Sequence, residues 1–432
     1  MSGELPKGWA RMELGSFCTE HRRRAKAADL EIFSVSKDHG LIAQKELFDR
    51  RIASADTSNY KTLKRGEYAY DPMLLWTGSI GRLWRADEAM ISPAYTTFGI
   101  DEERVSSSFF DALIKLPRMI ERYRSISHGT NVRRKKAHFD DFSALVVSLP
   151  ALAEQRAIAN VLSAVDAAIS KSEALIDAIA GAKRASMREL LELGIRRSRA
   201  PMKKLSARWV LGRIAEGVTH IPADWELVTL TKVAKLESGH TPSRDKPSYW
   251  GGTIPWISLA DTDALDRLEI SATTECVTPE GIANSSARVL PAGTVVFSRT
   301  ATVGKATRMA RDMATSQDFA NWVCGPTLEP SYLVQVFRHM DREWDRLQEG
   351  STHKTIYMPV FKKLQILLPP IAEQKKIAAV GEAFDMRIEH EQAALAALKV
   401  NRDALAQELL SGRLRLPNSM IARNAETSGK AA

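Results

Sequence analysis

The chain has 432 residues, 44% hydrophobic and 26% charged, with a formal net charge of +9, which suits two domains of about 150 residues with real cores plus connecting helices. Its three cysteines, Cys18, Cys276 and Cys324, stand too far apart for a disulfide framework or a zinc site. No apolar run approaches 20 residues and no charged-then-apolar leader is seen, so neither a membrane span nor secretion is predicted and a cytoplasmic location is expected, while the basic excess favours an anionic partner.

Residues 1–148 carry short alternating apolar runs, turn residues and aromatics, the pattern of a mixed α/β domain. It opens with Pro6-x-x-Trp9-x-x-x-x-Leu14 and closes with Phe142, Leu145, Val147 and Leu149, spaced as a strand would be. Between them lie two basic clusters, Arg22-Arg23-Arg24 and Arg133-Arg134-Lys135-Lys136, and the glycine pair of Gly78-Ser79-Ile80-Gly81. Such a pair suits a tight turn, where glycine adopts positive φ without strain; presentation of backbone N–H groups to phosphate is the alternative.

Residues 149–195 read as one long helix. Leu149-Pro150 holds the chain extended, because the residue before proline avoids helical angles, and Glu154-Gln155 follows. Ile158, Val161, Val165, Ile169, Ile176, Ile179 and Leu190 then fall at steps of three and four, a stripe narrow enough for a coiled-coil seam. Lys171, Glu173, Asp177, Lys183, Arg184 and Arg188 take the other face, and Gly194 suits a left-handed cap. Residues 196–220, with Arg196, Arg197, Arg199, Lys203 and Lys204, form a linker.

The pattern then repeats. Residues 221–367 are a second α/β domain, opening with Pro222-x-x-Trp225-x-x-x-x-Leu230 and closing with Phe361, Leu364, Ile366 and Leu368. Residues 368–412 are a second long helix: Leu368-Pro369, Glu373-Gln374, then Ile377, Val380, Phe384, Ile388, Leu395, Leu398 and Leu409, matching the first stripe at one constant offset, with Gly412 at the end. Residues 413–432 are a C-terminal tail, expected to be a disordered extension after Pro417. Each helix would run about 40 residues, about 60 Å. Two equivalent stripes are best buried against each other, and an approximate two-fold makes the helices antiparallel. The expected fold is therefore α/β, with two globular domains separated by two long helices in an antiparallel coiled coil and related by a pseudo-two-fold internal repeat.

The motifs Leu-Pro with Glu154-Gln155 and with Glu373-Gln374, together with Trp225-x-x-x-x-Leu230, Ser238-Gly239-His240-Thr241-Pro242, Tyr249-Trp250-Gly251-Gly252 and Ile254-Pro255-Trp256-Ile257, resemble the specificity subunit of type I restriction-modification systems. In the first half, Phe33-Ser34-Val35-Ser36, Tyr60-Lys61, Gly66-Glu67, Gly78-Ser79-Ile80-Gly81 and Ile91-Ser92-Pro93-Ala94-Tyr95 look like a second variety of that family's target recognition domain, lacking the Gly-x-Thr-Pro and Tyr-Trp-Gly-Gly elements. The resemblance implies a non-catalytic subunit whose two recognition domains each read one half of an asymmetric bipartite target in double-stranded DNA. The helices would set the unread spacer and dock two methyltransferase subunits, with motor-nuclease subunits joining for cleavage. No cofactor is expected in this chain, whereas the complex would use S-adenosylmethionine for modification and ATP with Mg for restriction.

Phosphate contacts set position and base edges set sequence. From charge and loop placement the candidates for DNA contact are Arg22, Arg23, Arg24, Arg82, Arg133, Arg134, Lys135 and Lys136 in the first domain, and Arg244, Lys246, Tyr249, Arg299, Lys305, His353 and Lys354 in the second. Any of them could instead be a solvated surface charge. Trp9, Trp225, Trp250 and Trp256 suit core packing better than base stacking. Glu154, Gln155, Glu373 and Gln374 sit in first helical turns, where a carboxylate favours the helix dipole; contact with a methyltransferase is the alternative. Catalysis finds no support: Gly304-Lys305 is followed by Ala306 rather than Ser or Thr, Asp71-Pro72-Met73 lacks the second proline and aromatic of an amino-methylation motif, and the lone Glu-x-Lys, Glu373-Gln374-Lys375, lies on a helix start. A coiled-coil protein-interaction scaffold without sequence-specific DNA binding is the competing reading.

Overall fold

A computed structural model describes residues 5–24, 30–47, 57–128, 135–195, 201–205, 218–349 and 354–426. The candidates Arg133, Arg134 and His353, like Arg196, Arg197 and Arg199, lie outside the described residues. The chain divides into two compact units, Met1–Ser170 with Ala396–Ala432, and Lys171–Leu395. Both divisions fall inside long helices, Leu152–Leu193 and Ile371–Ser411, so each helix gives one end to each unit. Among the described residues no helix is long and apolar enough to cross a membrane, and no group of His, Cys, Asp and Glu is placed to hold a metal ion.

In the first unit Ala10–Glu13 pairs antiparallel with Val146–Leu149, Met12 lying opposite Val147. In the second, Glu226–Thr229 pairs with Gln365–Leu368 in the same way, Val228 opposite Ile366. These are the matched openings and closings of the sequence: each globular body is cinched by a two-stranded ribbon whose second strand runs directly into a long helix. Leu14 N–H donates to Leu145 O at 2.9 Å, and its counterpart Leu230 N–H donates to Leu364 O at 2.8 Å.

Inside the ribbons the units differ. The first holds two four-stranded sheets: Cys18–His21, Thr96–Ile100, Tyr68–Tyr70 and Ile80–Arg82 in that order, then Gly40–Ala43, Ile32–Ser36, Glu88–Ile91 and Lys61–Lys64. The second holds a five-stranded sheet, Ala234–Ser238, Phe319–Cys324, Val295–Ser298, Ala306–Met309 and Glu269–Ile270, with a three-stranded one built on Trp250–Ile257. Aromatics fill the first core, where Tyr68 stacks on Phe98 at 5.3 Å between centroids and Phe110 meets Tyr68 edge-on at 5.2 Å. Phe297, Phe337, Trp344 and Phe361 do the same in the second.

The helix ends are sunk into these cores. Ile158, Ala159 and Leu162 join Ala406, Leu409 and Leu410 in the first unit's core; Met187 and Leu191 join Ile377 and Ala378 in the second's. In the first unit Arg402 holds Asp166 through two bonds of 2.7 and 3.0 Å, and in the second Lys183 holds Asp385 at 2.5 Å. The two pairs are counterparts under the sequence repeat, and in both units rising number on one helix meets falling number on the other, so the helices run antiparallel. Coverage along the seam is uneven. Val161 is half-buried against the first unit's core, but its counterpart Val380 is exposed.

The C-terminal tail departs from expectation. Asn418–Glu426 is helical, and the run before it is packed: Leu416 lies against the first core, and Arg415 binds Glu154 through two bonds of 2.9 and 3.0 Å and Lys7 O at 2.8 Å. An Arg-carboxylate fork and one half-buried leucine tie down a stretch that composition alone reads as solvent-bound.

Gln155 and Gln374 are 1% and 0% exposed. Gln155 accepts from Ser106 N–H at 2.9 Å and donates to the carbonyls of Arg104 and Pro150 at 3.2 and 2.9 Å. Gln374 accepts from Glu329 N–H at 2.9 Å and donates to Thr327 and Pro369 at 2.9 and 2.8 Å. Ser106 and Glu329 are the N-caps of the domain helices Ser107–Ile114 and Pro330–Arg338. One amide therefore satisfies three main-chain groups at once. Gln374→Leu should strand all three and lower stability by about 1–3 kcal/mol per unpaired group; a denaturation midpoint equal to the parent's would contradict this.

Candidate nucleic-acid interface

The four residues proposed as a partner surface at the helix starts are turned inward. Beyond the two buried glutamines, Glu154 is clamped by Arg415, and Glu373 accepts from the Trp225 indole N–H and from Ile195 N–H, both at 3.0 Å. Gly194, at φ +72°, lies so close that a Cβ there would meet the Glu373 carboxylate at 2.5 Å. Glu154, Gln155, Glu373 and Gln374 thus fasten helices to globular bodies, the first two and Gln374 buried and Glu373 half-buried. The tryptophans mostly serve packing: Trp9, Trp225 and Trp256 are buried, while Trp250 is half-buried. Gly78 and Gly304 take φ of +95° and +102° in tight turns.

The candidate cations separate by what holds them. Arg82 is half-buried: it pairs with Asp111 at 2.7 Å and donates to Ser107 Oγ at 2.7 Å, while Tyr68 donates to the same carboxylate at 2.9 Å. Burial pushes the Asp111 carboxyl upward, against the pull of Arg82. Arg299 is a strut, donating twice to Gln317 O at 2.9 and 2.6 Å and once to Ile356 O at 3.3 Å. Lys305 is drawn to Asp266 at 2.6 Å, at a cavity also lined by Lys183, Arg338 and Asp385 where the helices meet the second body. These three are engaged by oxygens of the fold, which an anion would have to displace.

The rest face solvent around loops. In the first unit Arg22 pairs with Glu20 at 3.1 Å and Arg23 with Glu67, which also faces His21 at 3.3 Å. Burial lowers the His21 pKa, with Glu67 opposing. Arg24 is exposed and paired in a backbone bridge with Lys61. Lys135 lies over the Trp76 ring at 5.6 Å, beside exposed Lys136. In the second unit Arg244 stacks on Trp250 at 3.8 Å and on Trp256 at 5.3 Å while its fork grips Glu275 at 2.5 and 2.8 Å. That hydrogen bond raises the Arg244 pKa and lowers that of Glu275. Lys246 and Lys354 are exposed and meet no carboxylate among the described residues; half-buried Tyr249 adjoins Lys246.

The structure brings several of these together in the second unit. Trp256 donates through its indole to His240 O at 3.1 Å, His240 N–H donates to Thr315 O at 2.9 Å, and Thr241 donates to Gln317 Oε1 at 2.6 Å. Arg299 then ties Gln317 to Ile356, and Ala301 N–H, at φ +62°, donates to Lys354 O at 3.2 Å. Loops around 240, 300, 317 and 355 form one connected rim. Charge counting missed Gln317, which is neutral; its one sequence signal was a Ser316-Gln317-Asp318 turn between apolar runs.

Residues 222–400 match the family model described as the type I restriction modification DNA specificity domain. The chain is 28% identical over 187 residues to the type I restriction enzyme MjaIX specificity subunit of Methanocaldococcus jannaschii, covering 43% of each. It is 22% identical over 367 residues to the MjaVIII specificity subunit of the same organism, covering 81% of this chain and 80% of that one. The first of these alignments spans under half of its relative's length. In fold, the chain matches a type I R-M system chain solved in work on complex assembly and conformational transition (TM-score 0.55, 17% identity, 95% of this chain and 100% of that one). It also matches the type I restriction-modification S subunit from M. genitalium (TM-score 0.53, 12% identity, 94% and 99%).

For a duplex lying on the second unit's rim, Lys246→Ala with Lys354→Ala should lower the slope of log affinity against log salt by about 0.9 per lost phosphate contact. Arg82→Met should leave that slope unchanged and lower the melting temperature instead. Salt titrations of duplex affinity check both.

Proposed function

We propose that this chain belongs to the type I restriction-modification specificity-subunit family, as the DNA-recognition subunit of such a system, and performs no chemistry itself. The observation that carries the reading is a scaffold built twice around unlike interiors. Ribbon, buried glutamine and helix pair recur in each unit, whereas the sheets between them differ in strand number and order. Two unlike bodies on one repeated frame suit the reading of two unlike half-sites, giving an asymmetric bipartite target.

Partners follow from the same frame. Two methyltransferase subunits dock on the helices, where apolar side chains stand in solvent: Val400, 69% exposed, in the first unit, and Leu175 and Met386, 43% and 55% exposed, in the second. Exposed apolar surface of this kind marks interaction sites. Motor-nuclease subunits join that assembly for cleavage. S-adenosylmethionine, and ATP with Mg, belong to those partners.

Mapping of methylated adenines in cells carrying this chain with its methyltransferase tests the reading, and should yield one motif with two different halves and a fixed gap. Exchange of residues 1–148 for another first domain should change one half alone. Deleting seven residues from each helix removes about 10 Å of length, so the gap should contract by about three base pairs at 3.4 Å each with both halves unchanged. A motif without two halves, or an unchanged gap, would count against it.

A further inference from the structure

We infer that Gln317 reads an adenine in the half-target bound by the second unit, an assignment that rests on the DNA-recognition reading above. Gln317 is exposed at the tip of the turn between Ala314–Thr315 and Phe319–Cys324, while Thr315, Ser316 and Phe319 around it are buried. Its backbone is locked. Arg299 donates to its carbonyl through Nε and Nη2, and Ser316 Oγ closes the turn by donating to Asp318 Oδ2 at 2.8 Å and accepting from Asp318 N–H at 3.3 Å. The strand end at Gly239 is pressed onto the same turn so tightly that a Cβ there would lie 2.1 Å from Ser316 O.

The side chain is locked as well. Thr241 Oγ donates to Gln317 Oε1 at 2.6 Å, and Gln317 Nε2 bonds to nothing among the described residues. Ordering a long surface amide costs side-chain entropy, and here the order secures no buried group. It leaves one Oε1 lone pair and the Nε2 hydrogens of an exposed residue unused on a fixed turn, as a binding group held by supporting contacts should be. That donor-acceptor pair matches adenine, whose N6–H donates and N7 accepts in the major groove. Exposed His240, Lys354 and Tyr357 flank the turn and suit the phosphates and sugars on either side. Arg299 acts through Gln317 and is a positioning residue.

Methylation motifs mapped for the full chain with its methyltransferase test the assignment. Gln317→Ala should relax one adenine position in one half-target, with discrimination there falling about 5- to 150-fold, the value of one bidentate base contact. The other half, the gap and the salt slope of duplex binding should not change. Gln317→Glu should move that position toward cytosine, whose N4 donates to a carboxylate. If the alanine variant melts early, Thr241→Val, which frees only the side chain, must show the same relaxed position. An unchanged motif in a folded Gln317→Ala protein overturns the assignment, as does relaxation spread over several positions. Failure of the underlying reading looks different: the parent chain itself would leave no motif, and both would fall.

Discussion

Each long helix is fastened to its globular body by one buried glutamine amide, and the rest of the architecture depends on that bond set. Gln155 and Gln374 make the same three bonds in their own units: one from the N-cap N–H of a domain helix, one to the loop before that cap, and one to the carbonyl just ahead of the long helix. A buried amide is costly unless every lone pair and proton is used. Here it is used on main-chain groups that define where the domain helix begins and where the long helix leaves the ribbon. The direction in which each long helix departs is therefore set by these hydrogen bonds together with the apolar side chains that the same helix end sinks into the core.

Against this repeated joint the asymmetries stand out. In the second unit Glu373 receives the Trp225 indole and caps the end of the first helix. In the first unit the equivalent Glu154 is taken by Arg415, and the equivalent Trp9 indole nitrogen is buried without a partner. The C-terminal run supplies by side chain what the continuing chain supplies in the other unit. The inter-helix ion pairs differ in the same sense. Asp166 with Arg402 lies partly in solvent, where such a pair contributes little. Asp385 is half-buried and shared among Lys183, Arg338 and Gln335, tying helix seam to domain.

Much of this was legible in the sequence because duplication makes a pattern testable against itself. The stripes from Ile158 and Ile377, the ribbon strands around Val147 and Ile366, and the glycine caps Gly194 and Gly412, at φ +72° and +75°, follow from spacing and backbone chemistry alone. What spacing cannot give is the partner of a side chain. Glu154 and Gln155 sit where a dipole argument places an acid, yet their bonds run to Arg415, Arg104 and Ser106, which are distant in sequence. The ordered tail escaped for the same reason, since its anchor is a carboxylate far back along the chain.

The cations carry that lesson into the candidate interface. Net charge reports how many arginines there are, not which are already occupied. Arg82 and Arg299 are held by carboxylate or carbonyl oxygens, and moving either to a phosphate would leave those oxygens unpaired, a larger loss than an exposed contact returns. Lys246 and Lys354 leave nothing behind when they meet an anion. Under the proposed function the candidate surface thus sorts into struts, which are charged, internally bonded and set geometry, and outward groups of two kinds: exposed lysines suited to sequence-blind affinity, and neutral donors and acceptors suited to discrimination. Because struts fix the position of the outward groups, exchanging the interior of one unit while keeping its ribbon, glutamine and helices would, under the proposed DNA-recognition function, change what is read and leave the mounting unchanged.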